Sequence, residues 1–401
     1  MKKILYILFV FLFTASCSPL LVDPSDKEQN PTEQNNPEED EDEDNSEDEE
    51  NPKANQTPDQ IRNPDYLYDN NALPSITLTI TEENWNQYLT NFDNNPNNSI
   101  YIPAQWSYEK DGVVYTRDSV GVRPRGNTSR VRPEGSIGEM HQRNNADWHH
   151  AHFGVQFTKY NTGERFFGSD RVILKWLKCD PMYCREIYCY DLFCRFGVWS
   201  APRACYCRLT IQIEGDVKPA YFGIYELVEN PRKGWLNNHA KEGHIADKNG
   251  NLWKATYGAT LSDANASMGV SDDYSQYTYD LKTNKKNGLS AAQQELKDFI
   301  NGMTPLKSGS EELKQWLEIH MDVDLFLRAY AVSVMVGMWD DYWINSNNYY
   351  FYFDSNHRFY FIPFDYDNTL GTDGMGIDPG THDMLNWGSR GGYVDLCVSY
   401  R

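Results

Sequence analysis

Residues 338–371, MWDDYWINSNNYYFYFDSNHRFYFIPFDYDNTLG, restrict what this chain can fold into more than any other stretch. Two aromatic-rich runs that alternate with a period of two flank Asp354-Ser355-Asn356-His357, a cluster of turn formers. The pattern predicts a β-hairpin, because a pleated strand sends alternate side chains to opposite faces and the four polar residues suit a tight reversal. With the turn centred on Ser355-Asn356, Asp365 falls opposite residues 345–348. One end of the hairpin therefore gathers Asp340-Asp341 with Asn345, Asn347 and Asn348 on one side, and Asp365-Tyr366-Asp367 on the other. Carboxylates and amides without thiol or imidazole make a hard, anionic, oxygen-only site suited to Mg2+ or Mn2+. Plain turn chemistry explains either cluster alone; their pairing across one hairpin favours a site. A calcium loop fits less well, since Leu370 stands where the sharp-turn Gly belongs and Gly376 where the bidentate Glu belongs.

The start of the 401-residue chain is not domain material. Residues 1–16 carry Lys2-Lys3, a short apolar run and Thr14-Ala15-Ser16 ahead of Cys17, the pattern of a bacterial export signal whose Cys is lipidated after cleavage. The apolar run is too short to span a bilayer. Residues 17–70 form an acidic tether, with EEDEDEDNSEDEE at 38–50, that cannot bury enough apolar surface to offset its ordering entropy. Acidic residues soon after a lipidated Cys resemble the surface-export signals of Bacteroidetes lipoproteins. That resemblance implies a cell-envelope location, at the outer membrane or cell surface, with the membrane as partner through Cys17. The formal net charge of −21 sits largely in this tether, and its sign argues against a nucleic-acid partner. Cys179, Cys184, Cys189, Cys194, Cys205 and Cys207 cluster without a Cys-x-x-Cys pair. Five-residue steps advance about 140° on a helix, so they do not share a face; buried thiols are the default, with disulfides open in an oxidising envelope.

From residue 71 the pattern becomes that of a packed domain. Residues 76–80 alternate as a strand, and Thr81 caps a helix with Glu82-Glu83 in its first turn that ends near Phe92. Strands at 100–102, 113–116 and 119–123 feed Arg125-Gly126-Asn127-Thr128-Ser129, a loop of backbone and hydroxyl donors beside Arg123, Arg130 and Arg132. It is suited to phosphate, or is a solvated basic turn. Strands follow at 153–157 and 171–176, then a helix opened by Pro181 and closed by Gly197, then a strand pair at 208–213 and 221–228. Residues 230–309 are mixed, with short strands at 252–254 and 279–282 and a helix at 290–302. Helices at 310–320 and 323–338 complete the order; the second, capped by Asp322 and apolar around most of its surface, is expected to be buried. The fold class is α+β: a strand-rich N-terminal half with one inserted helix, and a helix-rich C-terminal half. That is the layout of a protein kinase.

Five segments in this order, VRPRGNTSR at 122–130, ILKWLKCDPMYCREIYCYDLFCRFGV at 173–198, YFGIYELVEN at 221–230, GNLWKATYG at 250–258 and residues 339–371, resemble the CotH-type kinases, a family named after a spore-coat protein. The likeness covers 71–392 and leaves 393–401 as an atypical end. It implies an atypical kinase-like bilobal fold with Ser/Thr protein kinase activity, ATP and Mg2+ or Mn2+. Asp365 and Asp367 fit the family's closing acid pair, which holds metal, and Asn348 its metal-binding Asn. Asp340 fits the base, with Asp341 adjacent and not separable from it by sequence. Lys175 on a strand and Glu186 on the next helix have the order of the kinase Lys–Glu pair, and Arg125 falls on the phosphate side. One departure is His149-His150-Ala151-His152, where many members carry basic residues. Two other readings are a catalytically retired kinase-like fold acting as a surface binding or adhesion protein, and a glycoside hydrolase, which needs two carboxyl groups roughly 5–10 Å apart. The protein substrate is not legible.

Overall fold

A computed structural model of the chain describes residues 63–271 and 275–372. The export signal, Cys17, nearly all of the tether, Gly376 and residues 393–401 lie outside the described residues. Helix α1 (Pro64–Leu67) is capped by Asn63, whose side chain accepts the Asp65 and Tyr66 N–H groups. It sends Leu67 and Tyr68 into a core, so packing starts before residue 71.

Strands β1 (Ser75–Ile80), β2 (Ile102–Lys110), β3 (Val113–Pro124), β4 (Phe153–Gln156), β5 (Arg171–Lys175), β6 (Ala204–Ile213) and β7 (Ala220–Glu229) form a closed barrel in the order β1-β2-β3-β4-β5-β7-β6. Each neighbouring pair is antiparallel except β1 and β6, whose parallel pairing from Ser75–Arg208 to Ile80–Ile213 closes it. Closure leaves no unpaired edge. Helix α2 (Glu82–Asn94) starts at Thr81, whose hydroxyl accepts the Asn84 N–H at 3.1 Å, and buries Trp85 and Tyr88 with the barrel core.

Helix α3 (Arg185–Arg195) lies between β5 and β6 in the chain. After the barrel come α4 (Lys233–Lys241), β8 (Asn251–Ala255), β9 (Met268–Gly269), β10 (Tyr279–Leu281), α5 (Leu289–Met303), α6 (Glu311–His320), α7 (Val323–Met335), β11 (Tyr349–Phe353) and β12 (Phe359–Pro363). The later strands form a second sheet, β12-β11-β8-β10-β9, which shares a separate core with helices α3 to α7. Among the described residues no helix is long and apolar enough to cross a membrane.

The period of two decides how the cores meet. On β5, Val172 and Leu174 join the barrel core while Ile173 joins the other; on β7, Leu227 turns in and Val228 out. Lys175 shares the parity of Ile173, and Glu226 that of Val228, so both stand on the outer face of the barrel, toward α3 and the second core.

Several expectations need correction. Residues 113–116 and 119–123 are one strand, and 100–102 marks only the beginning of β2. Pro181 does not open α3. Asp180 supplies the local acceptor instead, taking the Cys184 and Arg185 N–H groups at 2.8 Å each. Helix α4 was not legible in the mixed middle. Helix α7 buries Leu325, Phe326, Ala329, Val332 and Ser333 but leaves Met335 51% exposed, so an apolar sequence has one solvated flank. The hairpin forms, but Tyr349 faces Pro363, one residue off the expected register. Its cause is His357, at φ 60°, which adds a left-handed residue after the turn closed by its N–H on the Asp354 carbonyl at 2.9 Å. All five residues of each hairpin strand are buried, since Phe359 stacks on Phe299 of α5 while Tyr360 meets Trp199. Cys184, Cys189, Cys194, Cys205 and Cys207 are unbridged, and burial pushes the Cys189 and Cys205 thiols up to about 12.

Candidate active site

The end of β5, the first turn of α3, the loop after α7 and the segment after β12 meet beside the outer face of the barrel. Lys175 joins them. Its Nζ lies 2.6 Å from Asp365 Oδ1 and 3.7 Å from Asp367 Oδ2, and it also pairs with Glu186 Oε2. Glu186 is in place because 186, 190 and 193 share the buried face of α3. The Tyr190 hydroxyl, one turn on, donates to Glu186 Oε1 at 2.8 Å and accepts the Asp365 N–H at 3.1 Å, tying helix to acid pair. Burial alone would lower the Lys175 ammonium, but Asp365, Glu186 and Asp367 hold it well above its usual range. The same ammonium outweighs burial at Asp365 and draws its carboxyl below the usual carboxylate range, whereas desolvation and the Asp365, Glu186 and Asp340 charges push Asp367 up. The two side chains are 37% and 42% exposed, so both remain open to an incoming ligand.

Glu226 is a member of the site that sequence reasoning missed. It sits directly opposite Lys175 in the β5–β7 register and is 3% exposed. Burial first, then the charge of Glu186, raises it well above the carboxylate range. Its only sequence sign is a lone acid within the apolar run of YELV.

Asp340 is ringed by amides. Asn345 and Asn347 donate to Oδ1 at 2.5 and 3.2 Å, and Asn348 and Asn368 to Oδ2 at 2.8 and 3.3 Å. Four N–H donors on one carboxylate turn four carbonyl oxygens elsewhere. Asn348 and Asp365 both take left-handed φ, 51° and 67°, a conformation that Asn and Asp tolerate, and so flank the hairpin with tight bends. Burial raises Asp340, partly offset by its amide donors. Asp341 is more deeply buried, 2% exposed, accepting the Trp343 N–H at 3.0 Å and the Tyr366 hydroxyl at 3.3 Å. Burial, against its hydrogen bonds to Ser333, Trp343 and Tyr366, pushes it up to about 7. The adjacent aspartates that sequence left interchangeable thus have different surroundings: Asp340 feels the Asp365 charge, and Asp341 braces the base of α7.

The basic loop divides in the same manner. Arg123 bonds Tyr101 Oη and Ser99, Arg130 bonds the Gly126, Pro96 and Asn98 carbonyls, and Arg132 pairs with Asp93, so these three are structural. Arg125 alone turns to the site, 5.8 Å over the Phe364 ring, where with Lys254 it acts on Asp365 and Tyr350. In the histidine run, His150 stacks on Trp176 and donates to the Phe222 carbonyl, while burial and Lys175 hold His152 neutral, down to about 3.

A strand lysine clamped between a helix glutamate and an acid pair that closes a β-hairpin marks a kinase-like domain. The chain belongs to the CotH kinase protein family, whose sequence profile matches residues 122–394, from within β3 onward. No curated protein matches the chain.

Proposed function

We propose that this protein is a metal-dependent kinase that transfers the γ-phosphoryl group of ATP to a Ser or Thr hydroxyl of a protein. The observation that carries this reading is Lys175 held jointly by Glu186 and Asp365, the ion pair and acid that an active kinase assembles around nucleotide. In this reading the barrel and the second sheet with its helices are the two lobes. The residues fit a divalent ion: Asp365, Asp367 and Glu186 crowd one buried lysine and Asp340 adds its charge at Asp367, an excess of negative charge that hard oxygen ligands and a 2+ ion relieve. Asp365, Asp367 and the Asn348 carbonyl would hold it, and Asp340 orients Asn348 through its amide. When bound, such an ion neutralises phosphate charge. Lys175 and Arg125 orient phosphate oxygens, and Asp340 accepts the hydroxyl proton.

Export and anchoring through Cys17 belong to the same proposal, since a lipid at the end of a long acidic tether leaves the domain free outside the membrane. Cys17→Ser shifts the protein from the membrane to the soluble fraction; continued fractionation with membranes would remove the anchor from the reading. In that released chain, calorimetric titration gives a Mg2+ or Mn2+ isotherm that Asp367→Ala loses. An unchanged isotherm returns the acid pair to turn chemistry. Metal and nucleotide binding without transfer would favour the retired, binding-protein reading.

A further inference from the structure

The end of α4 carries a second cluster, remote in sequence from the acid site and sharing no residue with it. Gly243, at φ 79°, follows the last turn as a left-handed cap; its N–H reaches the Ala240 carbonyl at 3.2 Å, and the His244 N–H reaches that of His239 at 2.9 Å. This helix ending brings the side chain just after the left-handed glycine onto the one four residues before that glycine, a contact that is commonly apolar. Here both are imidazoles. Their Nδ1 atoms lie 3.0 Å apart, and Glu242 Oε2 lies 3.2 Å from each.

We propose that His239, Glu242 and His244 bind a borderline divalent transition ion of the Zn2+ class through two Nδ1 atoms and one carboxylate oxygen. Edges of 3.0, 3.2 and 3.2 Å match one face of a ligand tetrahedron, since bonds of about 2.0–2.1 Å set neighbouring ligands about 3.3 Å apart. Each ligand is held from behind. Arg203 Nη2 donates to Glu242 Oε1 at 2.8 Å and leaves Oε2 to the cluster. His239 is 1% exposed against the Trp235 ring, 4.2 Å away, and His244 stacks on Trp199 at 4.8 Å and 16°. Two imidazoles with one carboxylate select Zn2+, Co2+ or Ni2+ over Mg2+ or Ca2+. Glu242 and His244 are 32% and 36% exposed, so the fourth position faces water. The sequence sign is His-x-x-Glu-x-His, which matters only once the cap folds it back on itself.

The test is a Co2+ titration of the full chain in excess Mg2+, which favours the hard acid site. The expected result is one bound Co2+ with the visible bands of nitrogen and oxygen ligation, no thiolate charge-transfer band, and displacement by Zn2+. His244→Ala, at a half-exposed position outside any core, weakens binding at least about 100-fold, beyond the cost of losing an outer partner. Asp367→Ala leaves it unchanged. Equal affinity in His244→Ala, a thiolate band, or loss of the ion in Asp367→Ala would each overturn the site.

Discussion

Asp340→Asn slows phosphoryl transfer by about 10²-fold or more while metal and nucleotide still bind, the expected signature of a lost general base. The carboxylate stands among Asn345, Asn347, Asn348 and Asn368, each able to turn its own carbonyl toward the new amide, so the ring of side chains can re-form without the proton acceptor. Single-turnover rates and calorimetric affinities, measured on the same variant, separate the two effects. If affinity for the ion falls with the rate, Asp340 acts by orienting Asn348 and is not the base. Asp341→Asn is the matched control. Asp341 has a folded-state value of about 7, above the ordinary carboxylate value near 4, so its contribution to stability is complete below about 4 and is lost as pH rises through 7. The amide imitates the protonated acid toward Trp343 and Tyr366. Thermal unfolding of Asp341→Asn therefore becomes flatter between about pH 4 and 7, with transfer retained; loss of transfer with unchanged binding would exchange the two roles.

Lys175→Met has the second large effect, on the fold itself. Removing one partner of a buried ion pair costs roughly 3–5 kcal/mol, because the charge left behind has neither water nor a counter-ion. Glu186, 1% exposed, carries most of that cost; Asp365 and Asp367 contribute less, since solvent screens carboxylates exposed by more than a third. The pH profile has a definite sign. Asp365 is depressed in the folded state, so its share of stability is present above the ordinary carboxylate range and disappears as pH falls below it. In the variant that acid limb of the unfolding curve is lost. Adding Glu186→Gln to Lys175→Met removes the stranded charge and recovers part of the stability, as a double-mutant cycle in urea will register. Additive losses would mean that the lysine and glutamate are neighbours without being coupled.

What the sequence determined is local. Alternation over five residues made strands at 76–80 and along the hairpin, and side-chain oxygens at Thr81, Ser310 and Asp322 started helices, because their partners lie three residues away. The order of Lys175 on a strand and Glu186 on the next helix was legible through the family resemblance, and the gathering of acids at one end of a hairpin through the turn formers between its strands. The tertiary structure decided orientation and partnership. Whether Lys175 faced the barrel core or the outer face depended on how β5 pairs with β4 and β7 in the closed barrel. Glu226 became a site residue only by standing opposite Lys175 across that pairing. Arg123, Arg130 and Arg132 were drawn to carbonyls, hydroxyls and an acid far along the chain, while Arg125 in the same loop turned to the site. The left-handed His357 moved the hairpin register by one, and burial divided Asp340 from Asp341. Apart from the His357 bend, which closes locally on Asp354, these outcomes depend on contacts that reach tens to hundreds of positions along the chain, whose energies no short window of sequence contains.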